Sequence, residues 1–132
     1  MVRKRLKTLL FSICCVCTLS YLITGMISGK PSFFGIRPFL VMTGSMEPTI
    51  RAHSLILTVP VRAEEVHVGD IVTYTRVAKS TSGGFIHIPF TVVHRVTAIE
   101  NDVFTFQGDN ETETDPPVRV EQIGYRVVWG WK

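Results

Sequence analysis

With 132 residues, the chain has room for about one domain. Its apolar content of 45% and mean hydropathy of +0.25 are high for a purely soluble protein, so part of it is expected to meet lipid. The net charge of +3 is uneven: Arg3, Lys4, Arg5 and Lys7 supply +4, while from Lys30 onward ten basic residues meet eleven acidic ones. No basic face is left there, which removes support for nucleic-acid binding despite a pI of 8.9.

Residues 1–7 therefore read as a basic tail. From Thr8 to Gly29 run 22 residues without a charge, long enough as a helix to reach roughly 33 Å, about the thickness of a bilayer core. The apolar stretch of a cleavable secretory signal is shorter, about 7–15 residues, so 8–29 reads as a retained transmembrane anchor, with a signal cleaved near Ser28-Gly29 as the alternative. Basic residues ahead of it predict a cytoplasmic N-terminus and an extracytoplasmic segment 30–132. All three cysteines, Cys14, Cys15 and Cys17, lie in the anchor. The exported part thus folds without disulfides, and no thiol chemistry, Cys-bound metal or cofactor is expected there.

Residues 30–132 show little helical periodicity. Short β-branched and aromatic runs alternate with turn residues, predicting strands at Phe39–Met42, Leu55–Val59, Ile71–Arg76, Thr91–Ile99, Val103–Gln107 and Tyr125–Trp129. The expected fold class is mostly β: a compact, largely antiparallel domain behind one transmembrane helix. Between anchor and domain, the apolar residues of Lys30–Ile50 fit either a core strand with its linker or a surface that dips into lipid headgroups. Lys79–Gly84 is Ser- and Gly-rich and reads as a flexible loop.

Chemistry first becomes possible at "VMTGSMEPTI". Gly44 permits the sharp turn a nucleophilic Ser45 needs to expose its hydroxyl, and Pro48 constrains the exit. A turn serine would look the same, so the case depends on a base elsewhere. His53 and His67 sit among polar or turn residues, and His87 adjoins the flexible loop. His94 lies in "TVVHRVTAI", where Val92, His94, Val96 and Ala98 would share one strand face. Such a histidine is costly to bury without partners for its ring nitrogens, whether it is a satisfied core residue or a base. A tight turn at Asn101-Asp102 would pair Glu100 with Val103, Ala98 with Thr105 and Val96 with Gln107. The same register sets His94 opposite Asp109, within reach for orienting an imidazole. Asp115 is the rival, and a solvated acidic turn is the bland reading of "QGDNETETDPP".

Four motifs in order, "TGSMEP", "VGDIVTY", "VVHRV" and "QGDNETETD", behind an N-terminal anchor resemble the type I signal peptidases. The closer likeness is to the branch of the endoplasmic reticulum, archaea and some Gram-positive bacteria, which includes SipW-like enzymes. The resemblance covers most of the chain and implies the β fold shared with LexA-like peptidases. It implies Ser45 as nucleophile and His94 as base, where the common bacterial branch has lysine. An imidazole titrates near pH 6.5, whereas a lysine near 10.4 must be strongly depressed first. It also implies that Asp109 and Asp115 both matter and, by family likeness, favours Asp115 for the triad.

The backbone N–H of Ser45 and the Thr43 hydroxyl would be oxyanion donors, Thr43 standing where relatives usually have serine. Gly69 and Asp70 would shape a turn. The implied partners are preprotein signal peptides of Ala-X-Ala type and membrane lipid, with the need for other subunits open. Two departures stand out: a longer Ser45–His94 interval, which "AKSTSGGFIHIPF" would supply, and an ending at "VVWGWK" where many relatives have a second span. A non-catalytic, membrane-tethered β domain that binds export or cell-envelope proteins is the alternative. A self-cleaving Ser-Lys regulator lacks a lysine at the base position.

Overall fold

The computed structural model describes residues 2–79 and 87–130. These form two compact units, one ending at Arg37 and the other beginning at Pro38.

The first unit is built on α1, Val2–Ser28. Its segment Val2–Ile27 contains a stretch of mean hydropathy 2.0 and is long and apolar enough to cross a membrane. The uncharged middle is the reason: a helix satisfies all its own backbone groups, and leucine, isoleucine and phenylalanine side chains cover it. The helix extends through the basic tail, so it begins earlier than the charge-free run. Gly29, with φ +65, ends it in the left-handed conformation, and its N–H donates to the Gly25 carbonyl at 3.0 Å. The chain then folds back along the last turns. Pro31 packs against the bare Cα of Gly25, Ser32 donates its N–H to Thr24 Oγ1 at 2.9 Å, and Phe34 donates to Ser20 Oγ at 3.0 Å. Ser20 and Thr24, polar side chains within the apolar helix, are thus used on the returning backbone. The Tyr21 and Phe33 rings meet at 4.9 Å on the same side.

The second unit is one seven-stranded sheet, in the order β1-β2-β7-β3-β4-β5-β6. The strands are β1 Arg37–Leu40, β2 Leu55–Pro60, β3 Ile71–Lys79, β4 His87–Glu100, β5 Val103–Gln107, β6 Val118–Arg119 and β7 Ile123–Gly130. From β2 to β6 every neighbouring pair is antiparallel. The chain is therefore mostly antiparallel β behind one apolar helix, the fold class read from the sequence. Several bounds differ from expectation. The first strand lies two residues earlier, His87 belongs to β4, and the two-residue β6 is too short to leave a periodic signal. The Ser- and Gly-rich loop falls largely on residues 80–86, outside the described residues.

Alternation decides what is inside. One core joins Val72, Tyr74, Val96, Phe104, Phe106 and Ile123, and a second joins Val41, Met46, Ile50 and Ile56. Along the lead into Ser45, Phe39 and Val41 turn into the second core, whereas Leu40 and Met42 are exposed. Both readings of that apolar stretch thus have residues that fit them.

Asn101 and Asp102 make the β4–β5 turn with φ +47 and +63, as read from the sequence, and Glu100 pairs with Val103 and Ala98 with Thr105. The register then shifts between Val96 and Ala98, so that Val96 pairs with Phe106 rather than Gln107. This is a β-bulge at Thr97, an extra residue on one strand. It switches the inward face, and Ile99 rather than Ala98 packs on the core. It also moves Arg95 opposite Gln107 and overturns the expected pairing of His94 with Asp109.

A second irregularity, between β3 and β7, places the Thr73 hydroxyl where it accepts the Tyr125 N–H at 2.8 Å. A Cβ on Gly124 would lie 2.7 Å from that hydroxyl oxygen and 3.2 Å from the Thr73 carbonyl oxygen. Gly124→Ala should therefore lower stability by about 1–3 kcal/mol, read as a lower denaturant midpoint at unchanged m-value. An unchanged midpoint would show that the strands slide to make room.

Candidate active site

The Ser45 turn is pinned from beneath by its neighbours. Met46 has no exposed surface and Ile50 almost none, so both bury in the second core while Ser45 stays at the rim. The Glu47 N–H closes the turn on the Gly44 carbonyl at 3.1 Å, Ile50 donates to Met46 at 2.9 Å, and the Glu47–Pro48 peptide is cis.

A second segment holds the turn from the other side. Asn110 donates its backbone N–H to the Ser45 carbonyl at 2.9 Å and its side-chain amide to the Gly44 carbonyl at 3.2 Å. Gly108 permits this approach, since a Cβ there would sit 2.6 Å from the Ser45 carbonyl oxygen. The middle residue, Asp109, takes two hydrogen bonds from Arg95, Nε at 2.8 Å and Nη2 at 2.6 Å, and one from the Thr49 hydroxyl. Arg95 also reaches the Gly69 carbonyl at 2.9 Å. Gly108, Asp109 and Asn110 thus supply close approach, charge and a backbone donor to one junction.

His94 is 6% exposed on β4. Its Nε2 is 3.0 Å from Ser45 Oγ, and its Nδ1 is 2.5 Å from Asp115 Oδ2. Asp115 is set by its own N–H donating to the Phe106 carbonyl at 2.7 Å, and by Arg76 Nη1 donating to its other oxygen at 3.2 Å. The three side chains therefore form a Ser45–His94–Asp115 chain of contacts. Asp109 is not in it. With the register shifted at Thr97, Asp109 pairs with Arg95 instead, and of the two aspartates left open by the sequence it is Asp115 that contacts His94.

Thr43 Oγ1 lies 3.3 Å from Ser45 Oγ. His53 and His67 are exposed, and His53 occupies a left-handed turn at φ +59. Gly69, at φ +97, forms the turn before β3, where Asp70 Oδ2 accepts the His67 N–H at 3.0 Å.

Five residues in or around this site escaped sequence reasoning: Thr49, Arg76, Arg95, Asn110 and Glu111. Glu111 Oε2 lies 3.8 Å from His94 Nε2. None carries a local signal, because each acts on a residue tens of positions away or across a loop. A cleft of about 730 Å³ opens over the site, between Phe39–Ser45 on one side and Phe90–His94 on the other, with Asn110 and Glu111 at its end. By distance alone, His94, Glu111 and Asp115 could hold a metal ion. The donor set argues against it: Asp115 occupies Nδ1 on one side of the ring, while Ser45 and Glu111 lie toward Nε2 on the other.

The electrostatics separate the two aspartates. Arg95, with the Thr49 hydroxyl, holds the Asp109 carboxyl below its usual range although burial pushes the other way, and Asp109 in turn raises Arg95. Burial, and then the neighbouring Asp115 carboxylate, push the Tyr74 phenol well above its usual range. Among the described residues its buried hydroxyl meets no hydrogen-bond partner.

A carboxyl depressed by folding contributes stability that is present above its unfolded pKa, about 3.9, and is lost as pH falls through the folded value. Asp109→Asn should therefore cost about 2 kcal/mol at pH 7 and flatten the decline in stability below about pH 4. Denaturant titrations at pH 7 and pH 3 measure both. An equal cost at the two pH values would contradict the Arg95–Asp109 linkage.

Signal peptidase I W of Bacillus subtilis (strain 168) is 30% identical over 124 residues, spanning 89% of this chain and 60% of that protein. The chain thus spans about three-fifths of the length of the curated relative it matches. No protein-family model matches the chain, and no solved structure matches it significantly. The apolar N-terminal helix and this homology together suggest a membrane-anchored protein. The sequence relationship, with an apolar N-terminal helix and a β unit in that order along the chain, makes the chain similar to the SipW-like type I signal peptidases.

Proposed function

We propose that the chain is a membrane-bound serine endopeptidase that cleaves N-terminal signal peptides from exported preproteins after small residues of Ala-X-Ala type. The observation that carries this reading is the contact chain from Ser45 through His94 to Asp115, with Ser45 and His94 lining a cleft. Homology to a signal peptidase supports the substrate class.

The chemistry follows from the geometry. Asp115 accepts a hydrogen bond from the Nδ1–H of His94, which leaves Nε2 unprotonated and free to accept the proton of Ser45; this tautomer is assigned from the roles. Ser45 Oγ attacks the scissile carbonyl as Nε2 takes its proton. The oxygen's growing negative charge would be met by the Ser45 N–H and the Thr43 hydroxyl, which lies beside Oγ. When the C–N bond breaks, His94 returns the proton to the departing amine and an acyl-serine remains. Water then repeats the sequence with His94 as base, releasing the signal-peptide carboxylate and restoring Ser45.

Arg76 and Arg95 would keep the two aspartates in separate jobs. Arg76 fixes the carboxylate that orients the base, whereas Arg95 uses Asp109 to tie the turn after Ser45 to β4. Asp109 is thus a positioning residue.

An extended substrate fits the cleft through backbone pairing. β5 pairs with β4 only from Arg95 onward, so among the described residues the Phe90–Val93 stretch of β4 bonds to β3 alone and has a free edge. A signal-peptide strand added there would place its carbonyl near Ser45 while side chains alternate into the cleft. The basic N-terminal residues would keep that end of α1 cytoplasmic and the β unit extracytoplasmic. An enzyme and a substrate both anchored in one bilayer meet at high effective concentration.

Ser45→Ala and His94→Ala should each lower Ala-X-Ala preprotein processing by at least about 10³-fold in membranes or detergent, with the fold retained. Full processing by either would contradict the reading and favour a non-catalytic binding domain. Asp115→Asn should lower kcat by about 10²–10⁴ with little change in KM, because the wrong tautomer is then favoured. If Asp109→Asn proved the more damaging of the two in kcat, the division of labour between the aspartates would be wrong.

A further inference from the structure

Of the carboxylates around His94, two have cationic partners: Asp115 meets Arg76 and Asp109 meets Arg95. Glu111 is different. Among the described residues no arginine or lysine pairs with it, its side chain is 43% exposed, and it lines the end of the cleft. Nor is it a loosely hung surface acid. Its N–H donates to the Gly108 carbonyl at 3.0 Å, its carbonyl accepts the Gln107 side-chain amide at 2.8 Å, and its side chain lies over the bare Cα of Gly108. A Cβ on Gly108 would sit 3.1 Å from Glu111 Cγ and Cδ.

This places a held, solvent-facing carboxylate 3.8 Å from the Nε2 atom of the general base. Nε2 is the atom that hands the proton to the leaving nitrogen, so that nitrogen must come within about 3 Å of it. The first residues after the cut therefore pass close to Glu111. We propose that Glu111 makes the leaving side of the cleft a cation-accepting subsite, favouring substrates with a basic side chain in the first two positions after the scissile bond. The subsite rests on the serine endopeptidase reading given above.

At a half-exposed site the attraction is modest. Unit charges about 4 Å apart in a water-like medium change an equilibrium by several-fold, and replacing an attracted group by a repelled one doubles the effect in free energy. On the order of a tenfold difference in kcat/KM between Lys and Glu at the same substrate position is expected at low ionic strength, shrinking as salt is added.

The test uses the full-length protein in detergent or proteoliposomes, with Ala-X-Ala preproteins carrying Lys, Gln or Glu at the first and, separately, the second position after the cut. Wild type should rank Lys above Gln above Glu at one position or both, with the ratio falling between about 0.05 and 0.5 M salt. Glu111→Gln should reduce the Lys-to-Glu ratio to within about twofold, and Glu111→Lys should invert it. A purely structural role would change all substrates alike and leave the ratio intact. If wild type cleaves every substrate without charge preference, or if the ratio survives both substitutions, the subsite is overturned and the peptidase reading stands. If wild type cleaves none of them, both fall. Should either variant fail to fold, the wild-type ranking and its salt dependence alone decide the matter.

Discussion

The backbone hydrogen bond from Asn110 to the Ser45 carbonyl is the contact on which the site depends. It ties two loops 65 positions apart in sequence, one carrying the serine and the other the carboxylates. It exists only because Gly108 has no Cβ to strike the same carbonyl. With that junction closed, Ser45 Oγ stands 3.0 Å from a histidine that the sheet has already placed. A serine and a histidine become a reacting pair through such backbone positioning, since neither side chain can choose the other's location.

The junction is reinforced by charge. Arg95 leaves β4 one residue after His94 and grips Asp109, which also takes the Thr49 hydroxyl from the turn beyond Ser45. Asp115, on the same acidic segment, reaches the opposite ring nitrogen and is steadied by Arg76. In the proposed mechanism adjacent residues on one strand divide the work: His94 would face the reacting atoms, and Arg95 braces the loop beside them.

Much of this was legible from residue types alone. A charge-free run of 22 residues behind a basic tail can hardly be anything but an apolar helix, and α1 includes it up to Ser28. Period-two alternation revealed most strands, because burial on one sheet face enforces it. Asn101-Asp102 announced its turn, since both residues tolerate positive φ. The bulge at Thr97 was not legible. A threonine in a β-branched run suits regular pairing equally well, and the shift arises only when the two strands settle on the core. That single extra residue separates Asp109 from His94. The family likeness had favoured Asp115 where strand arithmetic favoured Asp109. Thr49, Arg76, Arg95, Asn110 and Glu111 stayed hidden for a related reason: their partners are fixed by tertiary approach and not by local pattern.

The central claim is that Ser45, activated by His94, is the group that attacks the substrate. It is tested most directly by trapping the covalent intermediate. An activated ester of an Ala-X-Ala peptide would be mixed with the full-length protein, quenched in acid within milliseconds to seconds, and mapped by mass spectrometry. The acyl group is expected on Ser45 in the wild-type protein and is expected to be missing when His94 is replaced by alanine. An acyl group on another residue, or rapid turnover with Ser45 never acylated, would contradict the claim.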